Sequence, residues 1–487
     1  MPRKKSTTTK KQTVRTARKK VAVKKAPARK KTSVKKTTVK TSKPKTSKKI
    51  FVKSSADIKK TKQLYQTLRG MRDILPKDEK YWRKCFATAQ AQADHFLFGK
   101  IEMPILEEAK VFIKGVGKGT DVVDKEMYVF DDKDSTKVCL RPEGTAQAVR
   151  AYIENGMWNN PQPIKLWYWG QMFRHDRPQA GRYRQFFQFS CENFGSDDPS
   201  NDAELILLAY NFFKALDLEV EVHINSIGDL EERDRYKQEL ITYLRTKRAY
   251  LCEDCKSRIN KNPLRVLDCK QEDCQPVIES APQIIDWLQE KSKNHLMTVL
   301  EYLDEVQVPY VLRPTLVRGL DYYNGVVFEF YTKLGEGGAQ SALGGGGRYD
   351  DLVEMMGGKP TPAAGFSLGI DRCVRAIKED LKLKEKKLES PKFDIYLAHL
   401  GIEARKVALR IINELFHEGV RVGYNFFKES LKSQLEAANK SEVQYVLIVG
   451  QKEVQDETVI IRDMESGIQE IIDQKKLAKN VLKKVGK

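Results

Sequence analysis

Two things are missing from this 487-residue sequence: a run of about 18 consecutive apolar residues anywhere, and any Asp or Glu in the first fifty positions. The first absence excludes a membrane-spanning helix. The second shows where the charge resides. Residues 1–50 carry 21 Lys and Arg, and the other 66 are balanced by 66 Asp and Glu in residues 51–487, so the formal excess of +21 sits wholly in the N-terminal segment. The body is neutral, which argues against a nucleic-acid packaging protein with a globular appendage. The segment (KKSTTTKKQTVRTARKKVAVKKAPARKK) has too few large apolar residues to offset the entropy of ordering, so residues 1–55 are expected to be a disordered Lys-rich tail. Such a tail suits a polyelectrolyte arm for phosphate backbones, a solubility tag or an import-like address. It lacks the apolar h-region of a secretory signal, and its Lys bias fits a mitochondrial presequence poorly. The eight cysteines are therefore expected as reduced thiols, in the cytoplasm.

Periodicity then divides the chain. A helix is expected from Pro76 to about Phe98, followed by a strand broken by Pro104. EMYVFDD and KVCLRPEGT alternate as paired strands, and a helix starts at Thr145. IKLWYWGQMFR and QFFQFSCENFG are strand-like and flank RHDRPQAGRYRQF, which becomes the tip of a long hairpin. Residues 229–310 are helical and charge-rich, as an inserted module would be. LVRGLDYYNG is expected on a hairpin, ALGGGGRYDDLV in a Gly-rich turn, and GFSLGIDR at a strand-to-helix junction. After a charged linker at 381–391, strands and helices alternate over 392–487, predicting a small α/β domain with a partly parallel sheet.

The arginine-rich tip carries the chemical question. It is either a solvated loop or a site that grips phosphates, since guanidinium offers a fixed fork to oxyanions and keeps its proton. Residues two apart in a strand share a face, so Gln188, Ser190 and Glu192 point one way and Phe187, Phe189 and Cys191 the other. RPEGT places Glu143 and Thr145 at a strand-to-helix turn, either to receive an ammonium group or simply to cap the helix. Arg372 opens a helix beside two glycines, where anions are favoured. Cys252-x2-Cys255 and Cys269-x4-Cys274 are candidates for a tetrahedral zinc, although the second spacing is longer than a knuckle requires.

In this order the segments resemble the histidyl-tRNA synthetase family of class II aminoacyl-tRNA synthetases. RGMRDILP with its helix is similar to motif 1, FRHDRPQAGRYRQFFQFSCENFG to motif 2 and GFSLGIDR to motif 3; LVRGLDYYNG and ALGGGGRYDDL resemble the histidine-specific segments. The resemblance implies an α+β fold: an antiparallel-sheet catalytic core in two parts, 56–228 and 311–380, with a helical insertion and a C-terminal α/β anticodon-binding domain. It further implies ATP-dependent attachment of L-histidine to its tRNA through histidyl-adenylate by a homodimer, using ATP with Mg2+. Carried across position by position, it places Arg174 and Arg318 about the α-phosphate, and Phe186 and Arg372 about adenine. Arg182 and Arg184 would meet ATP or the acceptor strand, with Gln179 reading the 5′ guanosine. Glu192 and Tyr323 would partner the imidazole, Glu143, Thr145 and Gln188 the α-amino group, and Tyr322 and Tyr349 the pocket wall. Family members generally need no zinc, and the basic tail is outside the family pattern. A non-catalytic paralogue acting as a regulatory subunit or histidine sensor is the alternative.

Overall fold

The computed structural model describes residues 65–117, 120–178, 181–332, 342–385, 388 and 393–487. The basic tail and Gln179 lie outside them. None of the described helices is long and apolar enough to cross a membrane.

The central element is an eight-stranded sheet. Its strands run in the order Gly99–Lys100, Ile164–Phe173, Gln185–Phe194, Ala363–Gly369, Ala342–Arg348, Asn324–Thr332, Val220–Ser226 and Tyr310–Leu312. All neighbours are antiparallel except the outermost pair at each edge. Side-chain alternation gives the sheet two apolar faces. One buries Phe189, Cys191, Phe328, Phe330, Phe366 and Leu368 against the helices Pro76–His95, Pro199–Ala215, Glu290–Glu305 and Ile370–Leu383. The Pro76–His95 helix presents Trp82, Cys85, Ala89 and Ala93 at helical spacing to this layer. The opposite face carries Tyr168, Phe194, Val327 and Tyr349, and is covered by the helices Ala109–Gly115 and Thr145–Glu154.

Pro104 separates two short strands that join different sheets. Gly99–Lys100 pairs with the long hairpin, and Leu106–Glu108 pairs with Lys137–Leu140, itself paired to Tyr128–Asp131. Within 229–310, residues Tyr236, Leu240, Cys255, Val266 and Ile278 extend the core that lies on the second face. The last helix of that span, Glu290–Glu305, instead packs beneath the sheet through Leu296, Val299 and Leu300.

Two expectations are corrected. The glycine run is a central strand, Ala342–Arg348, between two antiparallel neighbours. A Cβ at Gly345 would stand 2.3 Å from the Phe328 carbonyl oxygen and one at Gly346 2.0 Å from that of Gly365, so close strand approach, and not a turn, demands glycine here. Arg318, Tyr322 and Tyr323 lie in the irregular segment before Asn324–Thr332 and not on a hairpin; that segment ends where Gly325, at φ +52°, turns the chain into the strand.

In the C-terminal region a five-stranded sheet runs Val422–Tyr424, Ile395–His399, Tyr445–Val449, Thr458–Asp463, Gln469–Asp473. Its first three strands are parallel and the last two antiparallel. The helices Ile402–His417 and Leu477–Val485 bury Ala404, Ala408, Leu415 and Val481 against Leu397, Leu447 and Val459.

Candidate active site

The long hairpin positions the site. Tyr168 pairs with Ser190 and Gly170 with Gln188, so both strands turn the same parity of residues toward the second face. Glu192 is fully buried there. One of its carboxylate oxygens accepts from Thr145 Oγ1 and from the Tyr168 hydroxyl, each at 2.8 Å, and the other from the Tyr349 hydroxyl at 2.5 Å. Burial pushes the Glu192 carboxyl up to about 8, against the downward pull of the Tyr349, Thr145 and Tyr168 hydrogen bonds. The carboxylate has room because Gly365 lies opposite: a Cβ there would sit 1.9 Å from Glu192 Oε2.

Glu143 occupies the neighbouring turn. Its oxygens accept from the backbone N–H groups of Thr145 at 2.6 Å and Ala146 at 3.0 Å, at the start of the Thr145–Glu154 helix. It is thus a helix cap, and its remaining lone pairs are still available to a ligand donor. Burial raises its pKa, opposed by these same backbone donors and by Arg174. Arg141, next in this turn, is structural: it donates to the carbonyls of Gln171 at 2.8 Å and Met103 at 2.9 Å.

The tyrosines link the acids to the arginines. Tyr349 packs against Tyr322 with ring centroids 5.7 Å apart, and Tyr322 against Tyr323 at 4.6 Å. The Arg318 guanidinium lies 5.4 Å from the Tyr323 ring centroid and forms an ion pair with Glu329. Burial works against the Arg318 charge, but Glu329 and Tyr323 outweigh it and hold the pKa above the ordinary arginine value. Two buried atoms in this region lack partners within the described structure: Arg318 Nε and Gln188 Oε1. An unsatisfied buried donor or acceptor costs about 1–3 kcal/mol.

Arg174 stands at the root of the hairpin tip. Its Nε donates to the Pro142 carbonyl at 2.8 Å, and its guanidinium lies 5.6 Å from the Phe186 ring centroid. Arg372, at the start of the Ile370–Leu383 helix, donates to the Ala342 carbonyl. Burial lowers its pKa, and the neighbouring guanidiniums of Arg182 and Arg174 add to the effect while Glu329 opposes it. Arg174 and Arg182 are thus close enough to act on Arg372, and Glu329 acts on both Arg372 and Arg318. Repulsion among Arg174, Arg182 and Arg372 is the preparation a polyanion would relieve.

Arg182 and Arg184, alike in sequence, diverge in space. Arg182 faces Asp176 at 3.3 Å and senses Arg372. Arg184 turns back to donate to Asp176 O at 3.2 Å and Arg69 O at 3.4 Å, while its backbone N–H meets Gly70 O at 2.7 Å. The tip is tethered to the helix layer by Asp371, whose carboxylate accepts from the Phe187 backbone N–H at 2.8 Å and from Arg72 at 2.7 Å.

Three participants do not stand out in the sequence. Tyr168 is hidden between Trp167 and Trp169, although its parity with Gln188 across the hairpin register identifies its face. Glu329 is a lone acid within the apolar strand Asn324–Thr332, and that isolation is the signal that marks it. Asp371 has the look of helix-start filler.

The model of histidyl-tRNA synthetase matches residues 70–373, and that of an anticodon binding domain matches residues 394–484. The chain belongs to the histidyl-tRNA synthetase family. It is 43% identical over 403 residues to the histidine--tRNA ligase of Halothermothrix orenii, covering 82% of this chain and 95% of that one. The crystal structure of apo histidyl-tRNA synthetase from S. aureus superposes with a TM-score of 0.70 at 32% identity, covering 86% of this chain and all of the other. A Bacillus halodurans structure described as an ATP phosphoribosyltransferase regulatory subunit/histidyl-tRNA synthetase has a TM-score of 0.57 at 22% identity, covering 80% of this chain and 99% of that one, which speaks to fold alone.

Proposed function

We propose that this chain attaches L-histidine to its cognate tRNA in two steps at the cluster of residues described above. An α-carboxylate oxygen of histidine attacks the α-phosphorus of ATP; a C–O–P linkage forms and pyrophosphate leaves. A terminal ribose hydroxyl of the tRNA then attacks the acyl carbon, and AMP departs.

The observation that carries this reading is the continuous path from Glu192, through Tyr349, Tyr322 and Tyr323, to Arg318, whose Nε is buried and unpartnered. Histidine lies along it. Its imidazole meets Glu192 and Tyr323; its α-ammonium meets Glu143, Thr145 and the free Gln188 Oε1; its carboxylate lies toward Arg318. Tyr322 and Tyr349 form the wall. Arg174 and Arg318 stabilise charge developing at the α-phosphate from opposite sides, with no side-chain general base. Phe186 and Arg372 hold adenine, and Arg182, beside Arg372, holds the triphosphate. Arg184 and Gln179 meet the acceptor end of the tRNA.

Mg2+ belongs with ATP as substrate. Glu329, the carboxylate paired with Arg318, also accepts from the Tyr331 hydroxyl at 2.5 Å, which favours an ion delivered on triphosphate oxygens. The C-terminal α/β region holds the anticodon arm, and residues 1–50 add nonspecific affinity for RNA. Exposed Leu106, Val129 and Phe130 on the small sheet support a homodimer. The reaction is placed in the cytoplasm.

ATP–pyrophosphate exchange tests the first step. It should require L-histidine and be insensitive to the other amino acids, and charging of histidine tRNA should follow; exchange that is absent or independent of histidine contradicts the proposal.

A further inference from the structure

Four cysteines unused by the catalytic account come together in the helical segment. Cys252 precedes the helix Glu253–Lys261 and Cys255 lies in its first turn; Cys269 follows Leu264–Leu267, and Cys274 precedes Gln275–Glu279. Their four Sγ atoms all lie within 4.8 Å of one another. Cys252 Sγ is 3.9 Å from Cys269 Sγ, and the Cys252 backbone N–H donates to Cys274 Sγ at 3.2 Å. Cys255, Cys269 and Cys274 are buried and Cys252 is partly open.

Tetrahedral zinc with Zn–S bonds of about 2.3 Å places its sulfurs about 3.8 Å apart. The observed cluster needs a contraction of at most about 1 Å to reach that geometry. Disulfides would instead gather the sulfurs two and two at about 2.05 Å. The x4 spacing of the second pair, long for a knuckle in sequence, is taken up by the single 3-10 turn Glu272–Cys274. The helices concerned span nine, four and five residues, so they persist through packing and ties and not through their own length.

What they support is the site. Asn262, at the end of Glu253–Lys261, donates to Asp321 at 2.8 Å, and Arg258 of the same helix reaches Asp121 at 3.4 Å. Asp321 adjoins Tyr322. Arg265 flanks Gly319, whose Cβ would stand 3.5 Å from Arg265 Nη1.

We infer that Cys252, Cys255, Cys269 and Cys274 bind one structural Zn2+ as four thiolates, and that the element it braces positions the segment Arg318 to Tyr323 through Asn262. Four Zn–S bonds form as four thiol protons pass to solvent, with no change of oxidation state. The metal half stands on the cysteine geometry alone; the positioning half rests on the histidine pocket proposed above.

Elemental analysis of the full-length protein, purified under reducing conditions and desalted after incubation with zinc, should give about one zinc per chain. Replacement by Co2+ should give thiolate charge-transfer absorption and tetrahedral d–d bands, and Cys255→Ser and Cys269→Ser should abolish both. Less than about 0.1 zinc per chain, or a mass showing disulfides, overturns the metal assignment even if the variants do not fold, because the unaltered protein is measured. Asn262→Ala should retain zinc and raise KM for histidine about 3- to 10-fold, with kcat falling as well because Arg318 belongs to the same segment. An unaltered histidine KM overturns the positioning half while leaving the pocket and the metal standing.

Discussion

Replacing Glu192 by Gln probes the pocket with almost no change of shape. The carboxylate receives three hydroxyl donors, from Thr145, Tyr168 and Tyr349, and its pKa is raised from the usual 4.5 to about 8 by burial. At neutral pH the free pocket therefore holds one proton, which an incoming neutral imidazole shares. A hydrogen bond to a charged group contributes about 1.5–3 kcal/mol and a neutral one about 0.5–1.5. The variant thus loses about 1–1.5 kcal/mol, an increase of about 5- to 13-fold in KM for histidine. KM for ATP should not move. Above a pH of about 8 the wild-type carboxyl has lost its proton and binding must take one up, so histidine affinity falls about tenfold per pH unit. The amide cannot titrate, and this break should vanish. Stability follows the same sign. A carboxyl raised in the folded state contributes stability that is fully present below about 4.5 and lost as the pH rises through about 8, so the variant should gain on the wild type over that interval. Steady-state exchange kinetics in both substrates across pH, with thermal unfolding in parallel, make the measurement. A histidine KM within twofold of wild type, or the same pH break in both proteins, refutes the reasoning.

Other perturbations separate the remaining parts. Tyr168→Phe removes one 2.8 Å donor to Glu192 and should raise KM for histidine by about 2- to 10-fold without altering KM for ATP, as read in the exchange assay. Gly346→Ala would drive a Cβ to 2.0 Å from the Gly365 carbonyl in the centre of the sheet; the expected loss is about 3 kcal/mol or more, detected as a lowered denaturant midpoint or insoluble protein. Deleting residues 1–50 removes 21 Lys and Arg, so tRNA binding should weaken mainly at low salt while adenylate formation is retained. Filter binding across a salt series checks this, and unchanged binding at low salt removes the tail from the mechanism.

What the sequence discloses follows from where period and composition speak unambiguously. The hairpin Ile164–Phe173 with Gln185–Phe194 is legible because two ten-residue strand-like runs flank an unmistakable turn. Parity, read along the Gln185–Phe194 strand alone, separates Glu192 from Phe189. Tyr168 is not legible because three consecutive aromatics erase alternation; only the cross-strand register tells which of them faces Glu192. The Gly344–Gly347 run reads as a turn because glycine most often marks one, whereas here neighbouring strands come too close for a Cβ, a constraint set by tertiary contacts alone. Composition cannot separate Arg182 from Arg184 either: two arginines of equal sequence context are assigned different neighbours by the return of the chain past Gly70 and Arg372. For the cysteines the linear spacing understates a convergence that short helices produce.

In the proposed mechanism Arg318, paired with Glu329 and with its Nε buried, acts at the α-phosphate of ATP beside a bound histidine. Histidine-dependent ATP–pyrophosphate exchange by Arg318→Ala tests it most directly, with circular dichroism and the histidine-independent thermal midpoint showing that the fold is kept. Exchange is expected to fall by at least about a hundredfold, the effect of losing one preorganised charge from a transition state. Near-wild-type exchange by the folded variant would contradict it.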